Sequence, residues 1–504
     1  MRFRNLLLSL LLLPLPAVAQ QLDTVITIPT TLGDTTETFW LQIPDGYSPD
    51  QPCPLLIGWH ELSSNALQFP IVTPFDSIAN ARGWIAASHN GPLSTHWNNQ
   101  TAQSHVVDMI HWIQDHYSAD SARIYMVGSS MGGAAGMVFS NNHLDPYGPM
   151  VAAAASHSGI QDCERRFLEQ GVNHSMIAGF GGTPQQVPFT YHRNSAIYFA
   201  DSTRSMHVNA RHLPLFLTFG NAWSDSVWRR HAEDLYAVMV EFADTVAIHE
   251  SPFAGHGWGG CDYAAITDFL AGFTLNRYPR DISVSADEEG RWYWTDLTFR
   301  DPVEQFARIE GAVDTAANHV QFAMLRNVAR AALALEPVGL ALNALPSFIC
   351  QWDILDSLPA ELAFQGLDQA PREVRKDGSL YAFWSYDSLA RELTLEGEGS
   401  GAYEILLNPQ AISPTQPAGR GDAALFAWPG SEALHYRLET PGTLRWALYD
   451  LLGRRLGGGD LGWTLPGSGR LALPETLPSG MYMLSLRLEG AAPQFLARKV
   501  AVVK

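Results

Sequence analysis

Short apolar runs alternate with longer amphipathic stretches over the first half of the chain. The runs fall at about 54–60, 84–89, 123–128, 150–156, 213–220 and 245–251, and stretches such as Thr101–Tyr117, with Val106, Val107, Ile110 and Ile113 on one face, lie between them. Continuous apolar runs suit strands covered on both faces, and the 3.6-residue spacing suits helices packed on those faces. Their alternation predicts a mostly parallel, doubly wound α/β sheet, with residues 23–43 as its antiparallel edge. An insertion of roughly fifty residues, from Gly159 to His212, is richer in Gly, Asn and His than in apolar residues, which makes it a poor hydrophobic lid.

After Tyr278-Pro279 the period changes to alternation, as in Val320–Met324 and Ala331–Glu336, with turn residues between the runs. That pattern predicts a β-sandwich over 279–407. A linker over 408–422 carries Pro409, Pro414, Pro417, Gly419 and Gly421. Beyond it, 423–504 alternates again and predicts a second small β-sandwich.

Composition adds bounds. A chain of 504 residues with 46% hydrophobic and 11% aromatic content can bury several cores. A net charge of −19 speaks against nucleic acid and anionic membrane surfaces as partners. Residues 1–19 read as a secretory signal peptide, with Arg2 and Arg4, the run Leu6–Leu13, and Ala17-Val18-Ala19 before Gln20. That run is too short to span a bilayer, and no transmembrane segment is expected later. With four cysteines in an exported chain, a disulfide between Cys163 and Cys261 is expected at the rim of the site, with Cys53 and Cys350 free. No C-x-x-C, H-E-x-x-H or EF-hand pattern occurs, so neither metal nor cofactor is expected.

The chemistry centres on Gly128-Ser129-Ser130-Met131-Gly132, between the apolar run Arg123–Val127 and the small-residue stretch Gly133–Phe139. Strand, G-x-S-x-G turn and helix in this order resemble the nucleophile elbow of the α/β-hydrolases, with Ser130 as nucleophile. A serine hydroxyl needs a base, and the base needs an acid to hold its tautomer. The resemblance puts these after later strands in the order Ser, Asp, His, which matches Asp225 and His256. It also implies an oxyanion hole formed by the N–H groups of Met131 and Leu62. His60-Glu61-Leu62-Ser63-Ser64-Asn65 resembles the His-Gly-x-Gly-x-Asn loop of secreted esterases of the polyhydroxybutyrate depolymerase, feruloyl esterase and acetylxylan esterase group, and of prolyl-oligopeptidase-like hydrolases. Glu61 stands where the family has glycine, and its carboxylate would repel an oxyanion unless turned away. The catalytic domain is expected over 20–278.

The function implied is a serine hydrolase of carboxylic esters, acting on esters of polysaccharide or another polymer. Trp59, Trp97, Trp223 and Trp258 are candidate substrate-binding residues near the rim. The alternatives are a prolyl-oligopeptidase-like peptidase and a catalytically inactive surface binding protein. Residues 279–336 resemble the β-domain that trails such hydrolases. Leu444–Arg455, Leu477–Leu484 and the terminal Arg498–Lys504 resemble the sorting domain of type IX secretion cargo. That resemblance implies the secretion machinery as partner and delivery across a Gram-negative outer membrane, to the cell surface or the medium.

Overall fold

The computed structural model describes residues 22–407, apart from Asp34, Val172, Glu304, Ser357 and Glu398, together with the strands between Leu425 and Val502. The signal peptide and the linker expected from the sequence lie outside the described residues.

Eight strands form the first sheet: β1 Leu22–Pro29, β2 Thr36–Ile43, β3 Cys53–Trp59, β4 Ile85–His89, β5 Ala119–Ser129, β6 Ala153–His157, β7 Leu215–Gly220 and β8 Val246–Ser251. Their spatial order is β1-β2-β4-β3-β5-β6-β7-β8, antiparallel at the β1-β2-β4 edge and parallel from there on. The central strands are apolar without alternation because helices cover both faces. On one face Phe39, Leu41, Ile57 and Met126 pack with Val106, Ile110 and Leu235 of the helices Gln100–His116 and Ser226–Met239. On the other, Trp40, Leu56 and Tyr125 pack with Phe75, Ile266 and Leu270 of the helices Phe75–Arg82 and Tyr263–Ala271. This is the α/β-hydrolase architecture, and it brings the C-terminal ends of β3, β5, β6, β7 and β8 to one edge.

The Gly159–His212 insertion is less polar inside than its composition suggests. Among its described residues, the α-helices Cys163–Gln170, His174–Phe180 and Pro188–Arg193 bury Phe167, Met176, Phe180 and Tyr191 against Trp97, Met131 and Ile160. It is a packed wall beside the strand ends.

Residues 281–406 form two sheets, one of six strands and one of seven, around a single apolar core. Leu144, Met150 and Met206 of the α/β layer join that core. Asn209 exchanges hydrogen bonds with the Ser285 backbone at 2.7 and 3.0 Å, and Asp287 accepts from Arg193 Nε at 2.7 Å and Asn142 Nδ2 at 2.9 Å. The sandwich and the α/β layer are therefore one compact unit.

Residues 412–504 are a second unit, with strands in sheets of three and four. Leu444, Leu448, Leu486 and Leu488 are buried within it. Among the described residues, no helix is long and apolar enough to cross a membrane.

Candidate active site

The turn after β5 places Ser130 at φ +56°, in the left-handed region that a non-glycine residue rarely occupies. Its glycine neighbours are required sterically. A Cβ on Gly128 would sit 2.0 Å from Gly132 O, and one on Gly132 would sit 2.5 Å from Trp59 O. Only a chain lacking both side chains can turn this tightly against β3, and the turn leaves the Ser130 hydroxyl facing the strand ends.

His256 follows β8, and its Nε2 lies 2.8 Å from Ser130 Oγ while its Nδ1 lies 2.9 Å from Asp225 Oδ1. A carboxylate only accepts, so Nδ1 carries the proton and Nε2 is left to accept from the serine hydroxyl. Asp225 is fully buried, and its second oxygen accepts from Ser158 Oγ and Gly220 N, both at 2.7 Å. Three donors aimed at a buried carboxylate offset its desolvation and fix its plane. The structure thus brings together Ser130, Asp225 and His256, which stand far apart in the chain.

Leu62 is half-exposed at the end of β3, and its N–H has no hydrogen-bond acceptor among the described residues. Met131 is buried, and its carbonyl accepts from Asn98 Nδ2 at 2.8 Å. The Glu61 carboxylate is engaged through both oxygens: one accepts from Ser129 Oγ at 2.6 Å and the other from Gln68 Nε2 at 2.8 Å. Gln68 Oε1 accepts in return from Glu61 N at 2.8 Å. A Cβ on Gly257 would lie 3.1 Å from Glu61 Oε1, so the same carboxylate also touches the histidine loop. Glu61 thereby ties three loops of the site together, with both carboxylate oxygens held by donors.

Trp228 was not among the residues singled out from the sequence. Its ring stacks on the His256 imidazole with centroids 3.6 Å apart and planes at 22°, and the Arg166 guanidinium lies 4.9 Å from the indole. The signal was present: Trp228 is three positions after Asp225 in the first turn of a helix, so the two side chains share a face. Ser158, at φ +45° just past β6, is the other residue missed.

Two expectations are corrected. Trp59, Trp97 and Trp258 do not face substrate, since each is at most 4% exposed. Trp59 packs edge-on against His89 at 4.2 Å, Trp97 donates to Ser175 Oγ at 2.9 Å, and Trp258 packs among Phe69 and Phe75. A position beside a strand end does not expose an indole when its large apolar surface can be covered. Trp223 alone stands out, at 90% exposed, beside Phe253 at 95% on the adjoining histidine loop. Those two loops are joined by Ala222 N to Ala254 O at 2.8 Å and Phe253 N to Asn221 Oδ1 at 2.6 Å.

The Cys163–Cys261 bridge is absent, because all four cysteines are free and these two sit in separate apolar clusters. Burial pushes the Cys163 thiol up to about 12 and the Cys261 thiol up as well, so neither is a thiolate at neutral pH.

No family model matches this chain, and no curated protein sequence does. Among solved structures it is similar to the S-formylglutathione hydrolase FrmB of Staphylococcus aureus, at 15% identity and a TM-score of 0.40, over 50% of this chain and 100% of that one. A ferulic acid esterase is similar at 13% identity and a TM-score of 0.39, over 50% and 98%. An esterase of the archaeon Pyrobaculum calidifontis is similar at 17% identity and a TM-score of 0.36, over 51% and 83%.

Proposed function

We propose that this chain is an exported serine hydrolase that cleaves carboxylic esters through an acyl-enzyme. The observation that carries the reading is the unbroken line of hydrogen bonds from Ser130 Oγ through the His256 ring to Asp225. Ser130 Oγ attacks the acyl carbon while His256 Nε2 takes its proton, and Asp225 stabilises the imidazolium that forms. Negative charge gathers on the former carbonyl oxygen, and the N–H groups of Leu62 and Met131 receive it, each such donor being worth about 3 to 4 kcal/mol. The tetrahedral intermediate collapses as His256 returns the proton to the leaving alcohol. Water, deprotonated by the same ring, then releases the acid and restores Ser130.

Esters carried by a polysaccharide or another polymer are the proposed substrate class, supported by the bare aromatic faces of Trp223 and Phe253 beside the histidine loop. Delivery to the cell surface or medium through type IX secretion is proposed from the carboxy-terminal motifs.

Turnover of p-nitrophenyl acetate tests the chemistry. It should vanish in Ser130→Ala and fall by about four orders of magnitude in Asp225→Asn, where the histidine takes the wrong tautomer. Full activity in either variant would move the site elsewhere. Cleavage of peptide amides in preference to acetylated xylan or methyl ferulate would favour the peptidase alternative.

A further inference from the structure

The sandwich of residues 281–406 carries a hollow of about 650 Å³, within the usual range of small-molecule sites, which is about 300–1,000 Å³. It opens where Ala360 and Glu361 of the strand Ala360–Gln365 and Glu396 of the strand Glu392–Gly397 face Lys376, Tyr381 and Phe383. None of these residues takes part in the chemistry proposed for Ser130.

The lining is built rather than incidental. Phe383 is 67% exposed, yet its backbone is held in place, because its carbonyl accepts from Glu396 N at 3.1 Å. The Tyr381 ring meets Phe383 edge-on at 5.8 Å and Tyr403 at 5.2 Å, and its hydroxyl donates to the Glu396 carbonyl. A bare aromatic face therefore stands pre-ordered over the hollow, and ordering it on binding costs little. The Glu396 carboxylate has no hydrogen-bond or ion-pair partner among the described residues. Glu361 has only a long contact, 3.5 Å, to Arg330 Nε. The one cation among the described lining residues is engaged, with Lys376 Nζ donating to Gly399 O at 3.0 Å and lying 5.3 Å from the Tyr403 ring.

We propose that this hollow is a binding site for a neutral polysaccharide, separate from the ester-cleaving site. An apolar ring face with acceptor-only carboxylates beside it fits a sugar ring, whose C–H face packs on an aromatic plane while its hydroxyls donate to carboxylate oxygens. Two carboxylates against one committed lysine, on a chain of net charge −19, exclude a polyanion. The site would keep the enzyme on a polymer while Ser130 works along it. That purpose rests on the polymer-ester reading, whereas the binding itself does not.

Binding is tested with the full chain carrying Ser130→Ala, which removes the proposed nucleophile. Its migration is followed in native gels containing soluble arabinoxylan or hydroxyethyl cellulose. Retardation by at least one of the two is expected, and adding Phe383→Ala or Glu396→Gln should weaken it about tenfold, with the melting temperature unchanged because both side chains are exposed. In the otherwise unmodified enzyme, Phe383→Ala should leave p-nitrophenyl acetate turnover intact. Equal retardation with and without Phe383, or none in the parent, overturns the proposal. Retention of a lysine-rich peptide that is lost with Phe383→Ala would assign the hollow to a basic polypeptide instead. Retention by the Ser130→Ala chain, together with no ester turnover by the chain that keeps Ser130, would remove the catalytic reading and leave the binding site standing.

Discussion

At the scale of single residues, several imidazoles are held uncharged by the packing. Burial lowers the titration of His143 to about 4, against the opposing pull of its hydrogen bond to Phe139 O, and lowers that of His207 to about 4, helped by Arg308. His89 and His96 are pushed far down by complete burial, then by the neighbouring histidines. An unfolded histidine titrates near 6.5. The unfolded chain therefore binds more protons than the folded one below that pH, and the stability present above about 6.5 is lost as pH falls toward 4. Melting temperature should drop steeply from pH 6.5 to 4.5. His143→Gln, which can still donate to Phe139 O, should flatten the dependence by about 1 kcal/mol per pH unit, and an unchanged slope in that variant would show that His143 is already accessible to protons. The same scale shows what a sequence makes visible. The meeting of Ser130, Asp225 and His256 could be anticipated because backbone strain demands glycines around the first and chain topology orders the other two. The tryptophans misled because residue type says nothing about which way an indole turns at the end of a strand.

Among the elements, the loop after β3 carries Leu62, one of the two donors proposed for the oxyanion hole. The sequence showed an acid where a glycine was expected, but not its partners: Ser129 is 68 positions away, and Gln68 lies seven positions on, in the next short helix. Long-range pairing of this kind leaves no local pattern, so the acid at position 61 was legible and its partners were not. Glu61→Ala removes two hydrogen bonds of the residue before Leu62; with Leu62 N–H as the proposed oxyanion donor, it should lower kcat roughly tenfold or more, with KM little changed. Glu61→Gln, which keeps an acceptor for the Ser129 hydroxyl, should recover most of the loss. If Glu61→Ala matched the parent, the loop would be held by its other bonds, such as Glu61 N to Gln68 Oε1 and Ser63 N to Ser94 O at 2.8 Å, and the tie assigned to Glu61 would be wrong.

For the whole molecule, the change of period after Tyr278-Pro279 does not reveal that the parts on either side of it share a core. Nothing in the pattern sets Leu144, Met150 and Met206 apart, and only the fold shows them in one core with Trp294 and Phe322 of the sandwich. Their sharing has a consequence for truncation. A chain cut near Tyr278 would strip cover from those residues and leave Arg193 without the buried Asp287 carboxylate, so it should be unstable however complete its catalytic residues are. A chain cut before Ala423 removes neither core. It should match the full chain in melting temperature and in turnover of both p-nitrophenyl acetate and acetylated xylan, while losing delivery to the cell surface if the tail is a sorting signal. A deficit on the polymer alone would make the tail a substrate-binding module. Retention of surface delivery without residues 423–504 would leave the resemblance of Leu444–Arg455 and Leu477–Leu484 to a sorting domain without consequence.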